Sequence, residues 1–174
     1  FLTQSDAKSH AAFLVTAHES AHQWWGNIIN PGRLPGGNIL SEGTAHFSTI
    51  MLIREKLGEQ ARIETMKRFE EQYGRDRVAD SERPLVKVDG TRNGDTAVTY
   101  DKGGWVFTML QDLMGRDQNL AGIQQFFRVY AKNADHPVLQ DFVATLRPYA
   151  PDPVAFDAFV KQWFFEVVMP EYKL

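Results

Sequence analysis

The most constraining feature of this chain is five residues long. His18-Glu19-Ser20-Ala21-His22 sits inside a stretch whose apolar residues recur at helical spacing. Phe13, Leu14, Ala17, Ala21, Trp24, Trp25 and Ile28 predict a helix over about 6–29, with Ser5 or Asp6 as N-cap. Residues four apart on a helix stand one above the other on a single face, ~6 Å apart along the axis. Two imidazoles so placed can converge on one zinc ion, and the glutamate between them can reach a water beside it. A shuffled chain of this composition would show the pattern only ~0.01 times, so chance is a poor account of it. Trp24 and Trp25 read as core residues of the same helix, and His10 and His136 as surface histidines.

The totals narrow what surrounds this helix. The chain has 174 residues, 43% apolar and 24% charged, which suits one ordinary globular domain with a real core. A formal net charge of -3 argues against a basic nucleic-acid-binding face. No window approaches the run of about eighteen apolar residues that a membrane span needs, and the apolar stretch at 11–15 is too short for a signal peptide. There is no cysteine, so a transition-metal site must be built from imidazole and carboxylate. The chain opens at Phe1 rather than Met, which suggests a processed protein or a piece of a longer one.

Beyond the first helix, Asn30-Pro31-Gly32 and Pro35-Gly36-Gly37 keep the chain in a loop. A second helix is expected from Ser41, as N-cap, to a stop at Gly58, and a third, charged one over 59–73. The segment 74–99 is polar and turn-rich, with 85–88 mildly extended. Helical patterns return over 101–114, 120–132, 138–146 and 153–165, and 167–172 reads as a short extended end. The expected class is mainly α, about seven helices with little sheet.

A zinc site needs a third ligand, and catalytic sites leave a further position open. Glu42, in Leu40-Ser41-Glu42-Gly43 at the start of the second helix, is the candidate. An acidic residue in a first helical turn is common on its own account. Only the histidine pair behind it makes it a ligand.

Taken together, these residues carry a resemblance. His18-Glu19-Ser20-Ala21-His22-Gln23-Trp24-Trp25-Gly26-Asn27, followed by Ser41-Glu42-Gly43-Thr44-Ala45, resembles the membrane alanyl aminopeptidase and leukotriene hydrolase family of gluzincins. Thr99-Tyr100-Asp101-Lys102-Gly103 is similar to the family's Tyr-x-Lys-Gly segment, and Asp141-Phe142 and Gln162-Trp163-Phe164 to signatures of its later helices. The resemblance implies the helical lobe of a thermolysin-like catalytic domain, occupying 1–174. It also implies one Zn2+ held by His18, His22 and Glu42, with Glu19 as general base and Tyr100 steadying the oxyanion. A zinc ion there would polarise a scissile peptide carbonyl and acidify water.

Three departures accompany it. The family places 18 residues between the second histidine and the glutamate, whereas 23–41 holds 19, so one extra residue is expected in the Pro/Gly-rich loop. A further glutamate usually follows two turns after the ligand glutamate and supports a zinc-bound imidazole; here that position is Thr49. The Gly-x-Met-Glu-Asn stretch that grips a substrate's free amine is expected before Phe1, together with the β half of the domain. His46, four residues after Glu42, reads as a buried polar residue rather than a supporting one. The expected partners are a peptide substrate and the rest of a longer polypeptide, with poor activity for this chain alone. Two other functions remain open to these residues: a thermolysin-like endopeptidase, and a non-catalytic metal-binding or assembly module.

Overall fold

The computed structural model describes residues 11–131 and 135–168. Among these there is no strand, and seven helices have eight or more residues, so the mainly α expectation is met. The first, α1 (Ala11–Ala21), leads through a long loop to a π-turn at Ile39–Gly43 that runs straight into α2 (Thr44–Leu57). After α3 (Glu59–Asp76) come two short 3-10 turns. One turn of helix, α4 (Asp95–Ala97), passes into a second π-turn at Val98–Lys102 and on into α5 (Gly103–Met114). The remainder is α6 (Arg116–Tyr130), α7 (Leu139–Leu146) and α8 (Pro153–Val160), the last ending in a π-turn at Lys161–Phe165.

Local chemistry explains several of these ends. Asp152 caps α8, its Oδ1 accepting from the amides of Val154 at 2.9 Å and Ala155 at 3.0 Å, and Pro153 fills the first helical position. Asp141 turns back on α7, where its Oδ2 accepts from the Val138 amide at 2.9 Å.

Packing centres on α2, which lies against α1, α3 and α5. Phe47 on α2 and Phe107 on α5 join Phe126, Phe142, Phe156 and Phe164 in one core, each almost fully enclosed. The Phe107 and Phe142 rings meet edge to face with centroids 5.4 Å apart, as do Phe126 and Phe142 at 5.2 Å. Phe142 and Phe164 thus take core roles, which fixes the later helices against the pair that carries the site.

Several sequence expectations are corrected. The first helix ends at Ala21 rather than near Ile29, because the chain widens into turns whose amides bond the fifth residue back: Asn27 to His22, Ile28 to Gln23 and Ile29 to Trp24. Trp25 is buried as expected, but Trp24 is half-exposed because the unwound segment no longer presents a helical face. Ser41 lies inside the π-turn and caps nothing. The 85–88 segment forms a 3-10 turn, Leu85–Lys87, closed by the Lys87 amide on the Pro84 carbonyl at 2.8 Å, with Leu85 and Val86 buried. Asp101 belongs to the second π-turn rather than to α5. His136 is exposed, as expected; His10, Ser5, Asp6 and most of 167–172 lie outside the described residues.

Candidate metal centre

The last turn of α1 presents His18, and His22 follows one residue beyond its end. The widened turn after it has a specific result. Gly26 adopts φ 109°, and the Trp25 carbonyl comes to 2.8 Å from His22 Nδ1. A carbonyl can only accept, so Nδ1 carries the proton and donates, which leaves Nε2 with its lone pair free.

Glu42 is delivered by the first π-turn. Its Oε2 lies 3.1 Å from His18 Nε2 and 3.1 Å from His22 Nε2. The two Nε2 atoms are themselves 3.1 Å apart. Three donor atoms from three residues therefore form a nearly equilateral triangle. Ligands ~2.0–2.1 Å from a tetrahedral zinc stand roughly 3.3 Å apart, so the spacing suits that ion after a small expansion. The donor chemistry, two imidazoles and a carboxylate, also suits zinc. Among the described residues this is the group of histidines and carboxylates that could hold a metal.

The centre opens on a cavity of about 700 Å³. Glu19, exposed in the last turn of α1, lines it together with Tyr100, Thr49, Phe69, Asp76 and Asp101. Tyr100 and Glu42 line the same cavity and influence each other's protonation. The Tyr100 phenol is pushed up to about 12, by burial first and then by the charge of Glu42, so it is held as an O–H donor. Burial pushes Glu42 upward too, but the neighbouring His18, His22 and Tyr100 side chains outweigh it and leave the carboxyl below its ordinary range. Asp101 is pushed up to about 7, by burial and then by the negative charge of Asp76.

The structure thus brings His18, His22, Glu42, Glu19 and Tyr100 around one cavity. It also places there a residue that the sequence reading set aside. His46 Nδ1 lies 2.9 Å from His18 Nδ1, so His46 is not merely a buried polar residue. Burial first, and then its closeness to His18, push it down to about 3 and keep it neutral. Its position four residues after Glu42 was a signal for shared direction, not for this contact. Neither the Trp25 carbonyl nor the acidic environment of Asp101 had a signal in the sequence.

Residues 2–163 match the family described as Peptidase family M1 domain. An aminopeptidase N from Haemonchus contortus is 25% identical over 167 residues, which cover 90% of this chain and 17% of that protein. An M1 zinc metallopeptidase from Deinococcus radiodurans shares the fold, with a TM-score of 0.67 at 18% identity, over 91% of this chain and 34% of that one. A mutant from the same organism, bound to a Tyr-Ser-Ala substrate, gives a TM-score of 0.66 at 17% identity over the same shares. The chain therefore spans a third or less of these proteins.

Proposed function

The chain belongs to the M1 family of peptidases, and on that premise we propose that it is the zinc-binding helical part of an aminopeptidase catalytic domain. The observation that carries this is the triangle of donor atoms from His18, His22 and Glu42, each pair 3.1 Å apart. Bound zinc would supply Lewis acidity toward the scissile carbonyl and toward the attacking water. Glu19, free at the cavity wall, takes the proton of that water and passes it to the leaving amine. Tyr100, held protonated, donates to the oxyanion as the carbonyl becomes tetrahedral. His22 is kept in the required tautomer by the Trp25 carbonyl.

The aminopeptidase name of the Haemonchus relative supports the exopeptidase reading over the endopeptidase one. The chain matches 34% of the Deinococcus enzyme, which supports a second element of the proposal. The 1–174 lobe works with further polypeptide that holds the substrate opposite the zinc helix, and alone it turns over slowly because positioning is incomplete.

The test pairs two substitutions with metal analysis. The parent chain should carry about one zinc ion, and His22→Ala should lose it, because two ligands leave a weak site. Glu19→Gln should keep the zinc while the complete domain loses at least ~100-fold in rate on an aminoacyl anilide. Zinc lost with Glu19→Gln, or retained in His22→Ala, would overturn the assignment. Equal cleavage of free and N-blocked peptides would replace the exopeptidase reading with an endopeptidase.

A further inference from the structure

We propose that His46 is a positioning residue for the metal: it accepts the Nδ1 proton of His18 and so fixes the tautomer that turns His18 Nε2 toward the ion. This deepens the zinc reading and rests on it. The two Nδ1 atoms are 2.9 Å apart, a hydrogen-bond distance that requires one donor and one acceptor. His18 Nε2 is the atom that faces Glu42 and His22, both at 3.1 Å. If Nε2 is to offer a lone pair, the proton of a neutral His18 belongs on Nδ1, and His46 Nδ1 must receive it.

Among the described residues no other side chain takes this part. Thr49, two turns after Glu42, spends its hydroxyl on its own helix, donating to the Ala45 carbonyl at 3.0 Å. His46 is also held in place. Its ring lies 4.6 Å from that of Phe69 and meets the Tyr100 ring edge to face at 5.3 Å. Behind it, a Cβ on Gly104 would come within 2.8 Å of the His46 Cβ, so a residue without a side chain is what lets α5 pass. The arrangement differs from a carboxylate support in one chemical respect. A neutral imidazole is a weaker acceptor than a carboxylate, so it orients His18 while adding no negative charge to the centre.

The test compares zinc dissociation constants, by chelator competition, for the parent chain, His46→Ala and His46→Asn. Thermal unfolding of the metal-free forms checks folding. His46→Ala should bind zinc ~10–100-fold more weakly. His46→Asn, whose amide oxygen can accept the same proton, should recover to within about 5-fold of the parent. Nitrogen-15 spectra of the zinc-loaded parent should show His18 protonated at Nδ1. Affinity unchanged in both variants, or equal weakening in both, would overturn the role of His46 while leaving the zinc reading intact; a His18 protonated at Nε2 would overturn the donor triangle as well. Failure of the parent to bind zinc would overturn both.

Discussion

Lys102 Nζ stands 2.6 Å from Oε1 of Glu82, a carboxylate whose side chain is wholly enclosed. The same carboxylate accepts from the Tyr73 hydroxyl at 2.7 Å and from Arg77 Nη2 at 2.7 Å. Burial pushes Glu82 upward, yet its hydrogen bond from Lys102 and those from Tyr73 and Arg77 hold it below its ordinary range. The consequence is mechanical. Lys102 closes the π-turn that carries Tyr100, so this ion pair ties that turn to the loop after α3.

Lys102→Met should therefore destabilise the fold and displace Tyr100 together. Removing one partner of a buried pair costs about 3–5 kcal/mol, because the other charge is left poorly compensated. Arg77 remains on Glu82 in the variant, which points to the lower end of that range. Urea unfolding should show it, and Lys102→Met with Glu82→Gln should recover part of the loss. A midpoint equal to the parent's would show that the pair contributes nothing to this fold.

Asp101 should leave a pH signature of its own. Its folded pKa is about 7, against about 3.9 for an unperturbed aspartate, so the folded chain binds this proton more tightly than the unfolded one. At pH 4 and below, both states are protonated and the residue costs little. As pH rises from about 4 to about 7, the folded state must hold a buried charge near Asp76, only partly offset by Arg75, and stability falls. Above 7 the penalty is constant. Asp101→Asn removes it, so the variant's advantage in melting temperature should grow between pH 4 and 7 and then level off. An advantage independent of pH would rule out the ionisation as its cause.

Gly26 offers a test of how the loop would serve the proposed metal. At φ 109° a side chain is strained, and a Cβ there would meet Ser41 Oγ at 3.1 Å and His22 Nδ1 at 3.6 Å. Gly26→Ala should cost about 1–3 kcal/mol of stability. It should also weaken zinc binding by roughly 10-fold, because the neighbouring Trp25 carbonyl is what orients His22. Chelator competition beside thermal unfolding separates the two effects. Lost stability with unchanged affinity would mean that the carbonyl does not matter to the site.

The same loop shows where the sequence stopped being legible. Apolar periodicity found the helices, because each must bury one face, and the glycine at 58 marked the stop of α2. It could not find the end of α1. Trp25 and Ile28 keep the helical spacing, while the real conformation is decided by a glycine at positive φ and a tertiary tie to His22. Glu42 was singled out only because a histidine pair already called for a third ligand. For His46, spacing from Glu42 gave a direction along α2 but not the partner, since that partner sits on α1. The Glu82 cluster had no local pattern, its members being separated by turns.

Tyr100 carries the last prediction. Its ring lies 5.8 Å from that of His18 and 5.3 Å from that of His46, so it is placed beside the candidate metal centre by packing. Tyr100→Phe keeps the ring and removes only the donor. Zinc content should be unchanged, and KM on an aminoacyl anilide should move little, since the donor is needed most when negative charge develops on the oxygen. The kcat of the complete domain should fall by roughly 10²–10³-fold, the typical loss for one oxyanion donor. The titration of the phenol adds a second reading. Because burial and the charge of Glu42 push the phenol up to about 12, ultraviolet titration of the metal-free chain should show no Tyr100 ionisation below roughly pH 11. A titration step near pH 10 that disappears in Tyr100→Phe would mean the tyrosine ionises normally. A rise in KM with kcat preserved would move Tyr100 from transition-state stabilisation to ground-state binding.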